Sequence, residues 1–294
     1  MIHDPGLNVY VAEQRRVVAA LAGGMPPSPP AAVLLPADEL QLPGTDQLRV
    51  RVIRPPGAVA AAMLHIHGGG FSFGTPAMGD DMNSHLALEA GIATVSVDYR
   101  LAPAHAHPAA VNDCLAAALW LQQQAPALFG TRRLLIGGES VGASLAVMTL
   151  LRLRDQHDAA RLFSGANLVV GAYDFAQTPS QRQSTDALFL SPARLRATVE
   201  GEFPGLGPEQ LRDPAISTLY ADLRSMPPAL FSVGTEDAVL DDSLFMAARW
   251  RAAGNRAQLE VYPEAPHFFM ALPTAMAAEG RRRIVAFLRS CIAG

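Results

Sequence analysis

Short apolar runs alternate with longer stretches of helical spacing along most of this chain. The runs at 61–66, 92–97, 134–136, 168–170, 229–233 and 259–262 are mostly β-branched or leucine-rich, as buried central strands are. Residues 48–53 instead alternate with arginines, which fits a half-exposed antiparallel strand. Between the runs, apolar spacing predicts helices near 79–90, 108–124, 141–154, 241–253 and 274–290, after a first helix over about 9–21. This rhythm predicts an α/β fold, a mostly parallel sheet with helices on both faces. Two intervals interrupt it. A Pro/Gly-rich break covers 23–30, and 172–228 holds prolines, polar turns and short amphipathic pieces such as 192–200. An insertion of that length at the top of a sheet suggests a lid over a pocket.

Composition narrows the chemistry. The 294 residues are half hydrophobic and 17% charged, enough to bury a large core as one domain. A net charge of −4 gives no reason to expect nucleic acid, and 281–283, three arginines, reads as the solvated face of the last helix. All 23 basic residues are arginine. Without a lysine amine, Schiff-base chemistry, pyridoxal phosphate anchoring and a Walker-type phosphate loop are excluded. Cys114 and Cys291 belong to no paired-cysteine motif, so reduced, partly buried thiols are expected. No stretch of about 18 apolar residues occurs, and the first residues lack a basic-then-apolar pattern. A soluble cytoplasmic protein without a membrane span is the expectation.

Gly138-Glu139-Ser140-Val141-Gly142 joins an apolar strand-like run to a helix-like one. A serine between glycines at such a junction is the pattern of a nucleophile elbow. A serine hydroxyl needs an imidazole to take its proton, a carboxylate to orient that imidazole, and amides for the developing oxyanion. His267, in the loop after the strand at 259–262, is the base candidate; the remaining histidines lie in the terminus, in helix-like segments or in an Ala/Pro turn. His65 and His67 alternate along one strand, but no third ligand at suitable spacing argues for a metal. Asp237, just past the strand at 229–233, is the acid candidate, with Glu236 as competitor. Asp241 and Asp242 are accounted for by the favourable charge at a helix N-terminus. The glycines of His67-Gly68-Gly69-Gly70-Phe71 could bring backbone amides to a substrate oxygen, and the amide of Val141 would complete the hole.

These motifs, with Asp98-Tyr99-Arg100-Leu101-Ala102-Pro103, Asp213-Pro214-Ala215-Ile216-Ser217, Met226-Pro227-Pro228-Ala229 and Pro266-His267-Phe268, occur in an order that resembles the hormone-sensitive-lipase-like branch of the α/β-hydrolases, bacterial esterase family IV. The resemblance runs from about residue 60 onwards. It implies an α/β-hydrolase fold and a serine carboxylesterase acting on short to medium acyl esters, with a Ser140–Asp237–His267 triad. It further implies oxyanion amides from Gly69, Gly70 and Val141, a substrate contact at Phe71, and a helical cap from about 1–45 and 175–220. His67 would fix the glycine loop, while Asp98 and Arg100 would hold a tight turn. No cofactor or metal is called for. Relatives dimerise through the last strand and helix, and the apolar 283–293 segment permits a homodimer. The chain departs from the pattern at Glu139 (usually aspartate), at Val141-Gly142-Ala143 (usually Ala-Gly-Gly) and at Ala104 (usually glutamate). Val141 would narrow the acyl side. Two other readings share the scaffold: an arylformamidase-like amidase, and a non-catalytic small-molecule receptor.

Overall fold

The computed structural model describes residues 3–24, 33–45, 47–185 and 188–293. Most of the Pro-rich stretch at 23–30 therefore lies outside the described residues. Among the described residues eight strands form one sheet: β1 (Ala37–Gln41), β2 (Arg49–Ile53), β3 (Ala61–Ile66), β4 (Ile92–Asp98), β5 (Leu134–Glu139), β6 (Phe163–Val169), β7 (Ala229–Gly234) and β8 (Ala257–Tyr262). Their order is β1-β2-β4-β3-β5-β6-β7-β8. β1 and β2 enter antiparallel, and every pairing from β4 to β8 is parallel. The helices are α1 (Val11–Ala22), α2 (Asp80–Ala90), α3 (Ala109–Phe129), α4 (Val141–His157), α5 (Pro179–Gln183), α6 (Pro192–Glu202), α7 (Pro208–Leu211), α8 (Leu240–Ala252) and α9 (Ala275–Ala293).

The sequence pattern misplaces three elements. β1 was not expected, because Ala-Asp-Glu-Leu-Gln at the sheet edge is mostly exposed and carries almost no apolar signal. β6 begins at Phe163, five residues before the apolar triplet, since Gly165 and Asn167 dilute its pattern. Gly165 is small for a packing reason: a Cβ there would sit 2.7 Å from Cys291 Sγ on α9. α3 runs past Pro126 to Phe129, because the buried Ala125 and Phe129 hold the final turn against the core. That packing outweighs the missing amide hydrogen bond.

Every residue of β3 and β7 is buried, which explains their continuous apolar character. All six parallel strands point their carboxyl ends to the same edge, so the loops after β3, β5, β7 and β8 converge there. The first helix reaches this edge from far away in sequence. Arg15 of α1 pairs with both carboxylate oxygens of Glu264 in the loop after β8. Glu13 accepts the backbone N–H of Ala275, at the start of α9, at 2.8 Å. Cys114 and Cys291 are both buried and unpaired. Among the described residues no helix is long and apolar enough to cross a membrane.

Candidate active site

The elbow forms because β5 must turn into α4 with almost no loop. Ser140 takes φ 56°, ψ −125°, a strained conformation for a residue with a side chain. Its neighbours have to be glycine. A Cβ on Gly138 would lie 2.2 Å from the Ile66 carbonyl oxygen, and one on Gly142 only 2.0 Å from the same oxygen. The hydroxyl is thereby raised at the end of the sheet, half-buried, at the N-terminus of α4.

His267 and Asp237 arrive from the two loops beyond. Ser140 Oγ donates to His267 Nε2 at 2.9 Å, and His267 Nδ1–H donates to Asp237 at 2.9 and 3.0 Å. Asp237 is fixed by accepting the Val239 N–H at 3.0 Å. Glu236, the competing acid, is exposed, and it is Asp237 that meets the imidazole. The two loops meet at Gly234, where a Cβ would strike the Ala265 carbonyl oxygen at 1.9 Å. Glycine there is what lets the aspartate and histidine loops touch.

The glycine loop lies against the elbow: a Cβ on Gly68 would be 2.9 Å from the Glu139 carbonyl oxygen and 3.4 Å from Ser140 Cβ. Gly69 and Gly70 have φ of +116° and +57°, so their backbone path suits no other residue well. His67 secures this path. Its Nδ1–H donates to the Gly68 carbonyl at 2.7 Å, and its ring stacks on Tyr99 at 4.2 Å. Tyr99 in turn donates its hydroxyl to the His67 carbonyl at 3.0 Å. Burial pushes the His67 imidazole down to about 4, so it is neutral at physiological pH. The amide of Val141 is at the first helical position of α4, where no intrahelical acceptor exists for it. The Val141 side chain is buried. Phe71 is buried as well, its ring packed on Phe175 at 5.7 Å and Phe203 at 6.0 Å.

Three features escaped the sequence reading. Glu139, beside the nucleophile, accepts from His65 Nε2 at 3.0 Å, while His65 Nδ1 meets Ser96 Oγ at 2.9 Å. His65 therefore ties β3 and β4 to the elbow. Among the described residues no group of three His, Cys, Asp or Glu could hold a metal ion. Asp242 is more than a charge at a helix start: it is fully buried and binds the chain at 173–181. Glu202, on α6, is buried with Oε2 unpartnered. Its signal was absent because a glutamate on an amphipathic helix normally faces water.

Burial pushes the Glu202 carboxyl up to about 8. The native state thus keeps a proton that the unfolded chain releases near the ordinary glutamate value of about 4.3. Between these limits the unfolded state binds fewer protons, so this group makes stability fall as pH rises, levelling off above about 8. Glu202→Gln removes that slope. The expected result is a variant whose Tm gains on wild type by roughly 5–10 °C between pH 5 and pH 9. Calorimetric scans at the two pH values check it, and a constant difference would refute the assignment.

An elbow serine, a buried imidazole and a buried carboxylate in line at one end of a parallel sheet make this a serine hydrolase of the α/β type. Residues 63–271 match the alpha/beta hydrolase fold family, and the chain belongs to that family, in its hormone-sensitive-lipase-like branch. It is 33% identical over 232 residues to an ethyl acetate hydrolase of Pseudomonas putida, covering 76% of this chain and 71% of that one. With an acetyl-hydrolase of Streptomyces hygroscopicus it shares 32% over 249 residues, 81% of this chain and 78% of the relative. A solved hormone-sensitive lipase from a metagenome library superposes with a TM-score of 0.79 at 28% identity, covering 96% and 91% of the two chains.

Proposed function

We propose that the protein is a carboxylesterase for short acyl esters, with Ser140 as nucleophile, His267 as base and Asp237 as orienter. The observation that carries this reading is the unbroken run of hydrogen bonds from Ser140 Oγ through His267 to Asp237. Ser140 attacks the ester carbonyl as His267 Nε2 takes its proton, and Asp237 stabilises the resulting imidazolium. The N–H groups of Gly69, Gly70 and Val141 receive the oxyanion. His267 returns the proton to the departing alcohol; water, activated by the same imidazole, then releases the acid from the acyl-enzyme.

The preference for short acyl chains is supported by the names of the two relatives, an ethyl acetate hydrolase and an acetyl-hydrolase. Val141, buried next to the nucleophile in the chain, gives it a physical basis. In this reading the segments at about 1–45 and 175–220 are the cap, supported by the contacts of Phe203 with Phe71 and of Phe189 with Phe268, 6.3 Å apart and stacked. A cytoplasmic location accords with the two buried free thiols. The open edge of β8 beside α9 offers a surface for a homodimer.

A p-nitrophenyl ester series tests the substrate class. The acetate and butyrate are expected to give the highest kcat/KM, falling at least about tenfold by the decanoate, with formanilide a far poorer substrate. Formanilide turned over as well as the esters would favour the amidase instead.

A further inference from the structure

The inward face of α6 carries a hydroxyl for which no described residue supplies a partner. Leu195 and Glu202 on this helix are buried. Thr198 follows Leu195 by three residues and precedes Glu202 by four, which places it on the same face. Its Oγ1 lies 2.8 Å, and its Cγ2 3.7 Å, from the point a Cβ on Gly70 would occupy. Thr198 thus fills the space left by the absent side chain of Gly70, two residues along the glycine loop from Gly68, which itself lies against Ser140. Helical threonines commonly turn the hydroxyl back to the carbonyl of the preceding turn. Among the described residues, Thr198 Oγ1 has no hydrogen-bond partner at all. The residue is half-buried and water can reach its hydroxyl, so a ligand oxygen seated against Gly70 can take the place of that water as its acceptor.

We propose that Thr198 is a further catalytic residue: its hydroxyl donates to the ester oxygen seated against Gly70, adding a side-chain donor to the backbone amides. The inference rests on the esterase reading. A hydrogen bond to an oxygen gains strength as that oxygen becomes anionic, so the contact acts more on the transition state than on bound substrate. It would also link turnover to the seating of α6, because the donor is absent when that helix lifts.

The test compares Thr198→Val, which keeps the shape and removes the donor, with Thr198→Ser, which keeps the donor and removes a methyl. On p-nitrophenyl butyrate the valine variant is expected to lose about tenfold in kcat with KM changed less than about twofold. The serine variant is expected to recover most of that loss. Labelling of Ser140 by a fluorophosphonate to the same end point in both variants, whatever its rate, establishes that the elbow is intact. A valine variant with wild-type kcat, or a serine variant equally impaired, overturns the inference while leaving the esterase reading in place. A wild-type protein that neither hydrolyses the ester nor takes the label overturns the esterase reading, and the Thr198 inference with it.

Discussion

Ser140→Ala is expected to lower kcat/KM for p-nitrophenyl butyrate by about 10⁴- to 10⁶-fold while the Tm stays within a few degrees of wild type. The substitution removes one oxygen and keeps the Cβ, so the strained turn at φ 56° and its hydrogen bond from Ser140 N to the Val169 carbonyl at 2.9 Å persist. What disappears is the attacking atom and the partner of His267 Nε2. His267→Ala should cost nearly as much, and the double variant little more than either alone, because the two act as one unit. The residual rate in all three would come from the oxyanion amides and from binding. Steady-state kinetics with circular dichroism and a thermal melt of the same sample separates this from loss of folded protein. Activity in Ser140→Ala within about tenfold of wild type would remove the serine from the mechanism.

Asp242→Ala is expected to destabilise the fold by about 3–5 kcal/mol, the largest stability effect of any single side chain considered. The Asp242 carboxylate accepts four hydrogen bonds: from Tyr173 N at 2.7 Å, Asp174 N at 2.9 Å, Thr178 Oγ1 at 2.8 Å and Gln181 Nε2 at 2.9 Å. Removing it leaves four donors facing an apolar void. Burial nonetheless pushes its carboxyl up to about 6 in spite of those donors. The unfolded chain therefore binds fewer protons between about pH 4 and pH 6, and ionisation of this group erodes stability as pH rises through that window. Since 173–181 leads into α5 and on towards α6, ester KM should rise together with the loss of stability. Denaturant unfolding checks the magnitude; a variant within about 1 kcal/mol of wild type would show that water replaces the carboxylate.

The chemistry was legible wherever the chain has no alternative residue. Gly138, Gly142, Gly69 and Gly70 are glycines because a Cβ at each would meet a backbone or side-chain atom at 2.8 Å or less. Such positions leave a mark in sequence, and they frame the nucleophile. The parallel strands were legible for a related reason, being covered on both faces and so uniformly apolar. Polar residues that fold inward left no such mark. Asp242 reads as an ordinary helix start, Glu202 as an exposed glutamate and Thr198 as a neutral helix position. Only tertiary packing distinguishes them from solvated residues of the same type. β1 was illegible because edge strands are stabilised by pairing on one side and need little apolar surface.

The contacts of α1 have a consequence for the life of the chain during synthesis. Nucleophile and glycine loop lie within residues 67–142, whereas the base sits at 267, in a loop gripped by Arg15 and adjoined by the Glu13–Ala275 contact. A nascent chain therefore displays its serine long before the imidazole of His267 exists to pair with it. Hydrolytic power waits on the step in which α1 closes on a loop about 250 residues further along the chain. Until then the polypeptide is chemically silent towards the esters around it.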